Sequence, residues 1–209
     1  MGSLKFKLVT FLLIFLFSCN EYQNLLKSDN NSEKFREAEN FYNSGDFKRA
    51  NRLFEDILPF YRGKPQAERL IFFHATSYYN LKMYYLSAAQ FENFIKSYPK
   101  SEKFEEAIFM TAKCYYMLSP IHSLDQKDTN TAIEKLQIFI NNYPNSIYVQ
   151  EANNLISELQ ETLEKKEFEI SKQYYTIRDY RAAIRSVDNF IGEFAGTKYR
   201  EEAMYYKFL

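Results

Sequence analysis

Cys19 is the residue whose neighbours prescribe chemistry, because it closes Leu16-Phe17-Ser18-Cys19 at the end of a short apolar run. Leucine three places before the cysteine and serine one place before it fit a lipobox, where bacteria cut an export signal and acylate the exposed cysteine. Lys5 and Lys7 precede the run Leu8 to Phe17. That run is too short to span a hydrocarbon core of about 30 Å but suits a cleaved secretory signal. Residues 1–18 are therefore expected to be removed and Cys19 to carry lipid. Each buried CH₂ contributes about 0.8 kcal/mol, so several acyl chains would hold the protein almost permanently on a membrane surface.

Other reactive groups are sparse. The two histidines, His74 in a predicted helix and His122 in a predicted loop, have no cysteine, histidine or carboxylate at metal-ligand spacing. Asp125, Asp128 and Asn130 partly match a calcium loop but lack its glycine and terminal glutamate. No phosphate-binding glycine loop and no nucleophile motif is present. Cys114 sits among apolar and aromatic residues and reads as a packed thiol. The sequence thus predicts no catalytic residue, no metal and no cofactor beyond covalent lipid on Cys19.

Charge narrows the partners. Removing two of the 27 basic residues with the signal leaves 25 against 27 acidic ones, a balance that argues against wholesale binding to nucleic acid. The Lys- and Glu-rich stretch 158–169 reads as a solvated helix face. With Cys19 acylated, Cys114 has no disulfide partner in the chain, so folding must come from packing.

The elements that do this packing show in an internal repeat. FYNSGDF begins at Phe41, YYNLKMY at Tyr78 and YYTIRDY at Tyr174, with a further pair at Tyr115 and Tyr116. Downstream lie Ala50, Phe54, Leu58 and Tyr61; Ser87, Phe91, Ile95 and Tyr98; Ala132, Leu136, Ile140 and Tyr143; and Ala183, Val187, Ile191 and Phe194. Steps of three and four define one helix face, and a small residue ahead of large ones lets two helices cross closely. Gly45 with Asp46 predicts a turn and cap, and Ser101, Ser146 and Thr197 are expected N-caps. The pattern predicts an all-α, tetratricopeptide-like solenoid of helical hairpins. About five repeats are expected over 32–209, the last incomplete, after a lipidated tether at 19–31. Turns interrupt any heptad run, which excludes a coiled coil.

Two departures from the 37-residue period stand out. Eight extra residues between Ser87 and Ala132 predict a loop insertion at 119–130. Fourteen between Ala132 and Ala183, in a stretch without Gly or Pro, predict one extended helix over about 146–177. Four added turns, about 21 Å, would keep its phase and project past its neighbours. Glu201-Glu202-Ala203 opens a fifth unit whose Tyr205, Tyr206, Phe208 and Leu209 would lie bare without a partner. Most of the 18 Tyr and 20 Phe are expected in the core. Tyr42, Tyr79 and Tyr84, where first helices end, are candidates to line a groove for an extended peptide.

CNEYQNLLKS, GDFKRANRLFEDILPFYRG, SPIHSLDQ, LQIFINNYPNS and EKKEFEISKQYYTIRDYRAAI together resemble the BamD family of Bacteroidetes-type bacteria, over residues 19–209. The resemblance implies a non-catalytic, five-repeat lipoprotein on the periplasmic face of the outer membrane. It would be part of the machinery that inserts β-barrel proteins, with other assembly lipoproteins. It implies binding of a BamA-like barrel subunit by the C-terminal repeats and of unfolded outer-membrane proteins by the N-terminal ones. By the same analogy Ser123, Leu124, Asp125 and Gln126, with Arg178, Arg181 and Arg185, would face partners. Two alternatives are a SusD-like nutrient-binding lipoprotein and a generic envelope repeat adaptor. Sugar platforms favour Trp, of which there is none, and surface display goes with an acidic run after the cysteine, where Asn20-Glu21-Tyr22-Gln23 has one carboxylate.

Overall fold

Ten helices and no strand build residues 21–208, the part of the chain that this computed structural model describes. They are α1 (residues 21–27), α2 (Asn31–Asn43), α3 (Phe47–Tyr61), α4 (Ala67–Asn80), α5 (Tyr84–Ser97), α6 (Phe104–Leu118), α7 (Lys127–Asn142), α8 (Val149–Thr176), α9 (Tyr180–Glu193) and α10 (Arg200–Phe208). The fold is the expected tetratricopeptide-like array of hairpins. It divides within α6 into two compact units, one ending at Ala107 and the other starting at Ile108. Cys19 and the signal lie outside the described residues.

Three hairpin turns share one backbone device. Gly45, Lys82 and Arg178 occupy corresponding positions at φ +80°, +60° and +66°. Each left-handed residue donates its N–H three residues back, to Tyr42, Tyr79 or Tyr175, and the next residue donates to Phe41, Tyr78 or Tyr174. This pair of bonds satisfies carbonyls that the ending helix leaves open. Asp46 and Asp179 then cap the following helices through Arg49 N and Ala182 N. An aromatic pair closes each turn edge to face: Tyr42 on Phe47, Tyr79 on Tyr84 and Tyr175 on Tyr180, with centroids 5.6, 5.4 and 6.0 Å apart. The repeated aromatics are turn clasps.

The small positions sit in the crossings as expected. Ala38 and Ala50 are fully buried, Ser87 Oγ donates to Ala75 O at 2.9 Å, and Ser171 meets Ser186 at 2.7 Å. A buried large residue lies seven places beyond each small one: Ile57, Phe94, Phe139 and Phe190. Leu58, Ile95, Ile140 and Ile191, eight beyond, are half-buried. Seven residues return a helix to within about 20° of the same side, and eight overshoot by about 80°.

Ser101, Ser146 and Thr197 do not cap helices. Their hydroxyls accept from the N–H two residues on, at Lys103, Tyr148 and Tyr199, and the helices start three residues after them. Short side-chain oxygens offer this local bond as an alternative to helix. The turns match throughout, with Ser101 N donating to Tyr98 O, Ser146 N to Tyr143 O and Thr197 N to Phe194 O.

The long helix differs from expectation in phase and in surroundings. Its 28 residues cover about 42 Å. Ala152, Leu155, Ile156 and Leu159 join the core made with Phe109, Leu136 and Phe139, whereas Phe168 joins Val187, Phe190 and Ala203. At about 100° per residue these two buried faces are about 170° apart. The extra turns do not project; they form the first helix of the next hairpin, which uses the other side of the rod. Helix α10 packs on α8 and α9, with Tyr206 turned inward 5.1 Å from Tyr175 and Tyr205 and Phe208 exposed. Leu209 lies outside the described residues.

The segment expected as a tether contains α1, which packs antiparallel to α2. Tyr22 meets Phe41 edge to face at 5.6 Å, and its hydroxyl donates to Arg49 O. At the other end the Lys34 ammonium, buried, donates to Leu26 O at 3.0 Å and pairs with Asp56.

Candidate partner-docking surfaces

The inserted loop is shorter than predicted, because residues 127–130 form the first turn of α7. Gln126 organises it from inside: its amide donates to Ile121 O and Leu124 O at 3.0 Å, and its oxygen accepts from the Thr129 hydroxyl at 2.7 Å. Ser119 meets Thr129 at 2.6 Å. Gln126 is buried, so it holds the loop and does not face a partner. Ser123, Leu124 and Asp125 are exposed, the Asp125 carboxylate accepting from Lys127 N. Lys166 of α8 pins the loop by donating to Leu124 O at 2.7 Å. Among the described residues no group of three His, Cys, Asp or Glu could hold a metal ion.

Arg178, Arg181 and Arg185 are exposed around the α8–α9 turn, and among the described residues none of them has an ion-pair partner. Arg181 and Arg185 line a groove with Ile170, Tyr174 and Asn189. A second groove, about 440 Å³, is lined by His122, Ser123, Lys166 and Ile170. Ile170 borders both, so the two grooves adjoin along α8, Ser123 lining one and Arg181 and Arg185 the other; Arg178 lines neither. Sequence reasoning missed Tyr174, Ile177, Tyr180 and Ile184, all exposed between the arginines. Their signal was available: apolar residues at positions that the hairpin core does not use. Arginine interleaved with tyrosine and aliphatic side chains is the make-up of binding-energy centres in protein interfaces.

In the first unit Tyr42 is not a groove residue. Its ring stacks on Phe73 at 4.4 Å and 11° and lies against Phe54, and burial raises its pKa. Tyr79 and Tyr84 are half-buried in their clasp. A cleft of about 270 Å³ in this unit is lined by Pro65, Glu68, Arg69, Phe72, Phe73, Phe94 and Lys103. Its origin lies in the repeat. In the second unit the residue two places after the turn serine or threonine is a tyrosine stacked on a phenylalanine: Tyr148 on Phe109 at 4.7 Å and Tyr199 on Phe168 at 4.6 Å. In the first unit that place belongs to Lys103, whose ammonium is 5.4 Å from the Phe72 centroid. A thin side chain where a ring would lie leaves a cleft beside half-buried Phe73, with Phe72 buried at its floor. Arg69 flanks the opening, paired with Glu39 at 2.8 Å.

The remaining titratable features lie apart from these surfaces. His74 is buried against Tyr78 with neither ring nitrogen hydrogen-bonded, and desolvation lowers its pKa to about 4 against a weak opposing pull from Glu55. Tyr116 donates to Glu158, which with burial pushes its pKa up to about 12. Cys114 is buried and in no disulfide.

A family model described as outer membrane lipoprotein, YfiO, matches residues 27–208. The chain belongs to the YfiO family of outer membrane lipoproteins. This agrees with the BamD-like resemblance of its sequence segments. No curated protein matches the chain. No helix among the described residues is long and apolar enough to cross a membrane.

Proposed function

We propose that this lipoprotein is a non-catalytic scaffold of the machinery that assembles β-barrels in the outer membrane. It is anchored to the periplasmic face through lipid on Cys19. The family match over residues 27–208 carries the reading. The surface formed by the 119–126 loop, α8 and the start of α9 docks the periplasmic repeats of a BamA-like barrel subunit. Unpaired arginines among exposed tyrosines and isoleucines suit a partner surface with carboxylates and an apolar centre. The cleft beside Lys103 receives apolar side chains of unfolded outer-membrane clients, with Arg69 and Lys103, paired to Glu39 and Glu106, at its rim. Other assembly lipoproteins complete the complex, and no bond is made or broken.

The test is co-purification from membranes in mild detergent. The barrel subunit should come with the native lipoprotein, and Arg181→Glu with Arg185→Glu should weaken that association about tenfold or more while helicity and melting are retained. A native preparation lacking the barrel subunit would remove this reading. Depletion should lower many barrel proteins together, whereas loss of growth on one glycan alone would point to nutrient binding.

A further inference from the structure

The lipoprotein reading specifies where the membrane must lie, and the first unit presents a surface suited to it. Helix α1 begins its described part at Glu21, two residues after Cys19, and two residues reach at most about 7 Å. Because Tyr22 lies on Phe41 and Arg49, this start is held at the end of the unit where α2 turns into α3. The α4–α5 turn lies at the same end. Tyr42 of α2 stacks on Phe73 and hydrogen-bonds Thr76, which puts the last turn of α4 level with the end of α2.

That end carries Lys82, Met83, Tyr85 and Leu86 in succession around the turn and the first turn of α5. Met83 is 46% exposed, Tyr85 60% and Leu86 46%, beside the exposed lysine. Lys48 is exposed on the neighbouring turn. At the other end of the unit exposed Phe60 lies under the Lys64 ammonium, 3.1 Å from its ring centroid. Aliphatic and aromatic side chains next to lysines, which lay their stems on apolar matter and keep the charge in water, suit a bilayer interface. Lys82 stands in the left-handed region where the matching turn has Gly45, so the turn keeps a cation there against local preference.

We propose that Lys82, Met83, Tyr85 and Leu86 form a second membrane contact, dipping into the headgroup region of the leaflet that holds the acyl chains of Cys19. The inference rests on the lipoprotein reading. Together the two contacts fix the tilt of the first unit on the bilayer, which a single acylated cysteine does not.

The experiment uses the acylated protein in vesicles of phosphatidylethanolamine and phosphatidylglycerol. An environment-sensitive fluorophore is attached at Met83→Cys, at Tyr85→Cys, or at exposed Lys100→Cys, at the far end of the same unit. Thermal melts establish that each labelled variant folds. Emission from positions 83 and 85 should shift to the blue and be lost when the lipids carry nitroxide, while position 100 stays unquenched. Mass spectrometry of the N-terminal peptide reads acylation separately. An acylated peptide with all three positions equally unquenched overturns the second contact alone, and a peptide without acyl mass overturns it together with the anchor.

Discussion

Lys103 in the first unit and Tyr148 and Tyr199 in the second stand at one repeat position and have opposite consequences. Each tyrosine stacks within 5 Å of a helix phenylalanine and closes the core, whereas Lys103 lets Phe72 and Phe73 line an open cleft. A repeat thus opens a cleft by withholding one ring. Unit one also buries His74 with neither ring nitrogen hydrogen-bonded.

The comparison breaks hardest at the filled sites. Tyr148→Ala should lower second-unit stability by about 3 kcal/mol in urea unfolding, since it removes a stacked ring and leaves a gap. A loss below 1 kcal/mol would mean that the stack is incidental. Acid should act on the other unit. Burial holds His74 near pKa 4, below its ordinary 6.5, so the unfolded chain binds a proton that the folded one refuses. Its contribution is intact above about pH 6.5 and falls by about 3 kcal/mol as the pH drops to 4. Hydrogen exchange should show α3 and α4 opening first, and His74→Phe should flatten that pH dependence.

Lys103→Tyr should convert the open site into the closed kind. Affinity for apolar peptides, followed by fluorescence anisotropy, should fall about tenfold without loss of stability. Unchanged affinity would exclude the cleft as the client site. The smallest effects concern the turns. Lys82→Gly and Arg178→Gly relieve left-handed backbones and should each stabilise by under about 1 kcal/mol, the gain being offset by the freer unfolded chain.

Much of this architecture was legible in the sequence. The small-then-large rhythm after Gly45, Lys82 and Arg178 announced hairpins, and the absence of Gly and Pro between Ser146 and Ile177 announced the long helix. The rotation of its buried face was hidden, because Leu163 and Leu159 continue one stripe while Phe168 and Ser171 start another with no break between them. The role of Lys103 was hidden for a related reason: the spacings of 45 and 51 residues from Tyr98 to Tyr143 to Phe194 obscure that Lys103, Tyr148 and Tyr199 are equivalent. The tyrosines were recognised as a motif but assigned to a groove, since a ring that staples a turn and a ring that greets a peptide have the same spelling. On the proposed docking face, Arg181 and Arg185 are exposed as the resemblance implied, whereas Gln126 is not, because only folding shows its amide turned back on its own loop.

Helix α8 gives one face to the core built on Phe109 and the opposite face to the core built on Phe168. Two walls therefore hang from a single axle. Twisting it to suit one would wrench the other out of mesh, so a partner seated near its far end strains against the whole second unit at once.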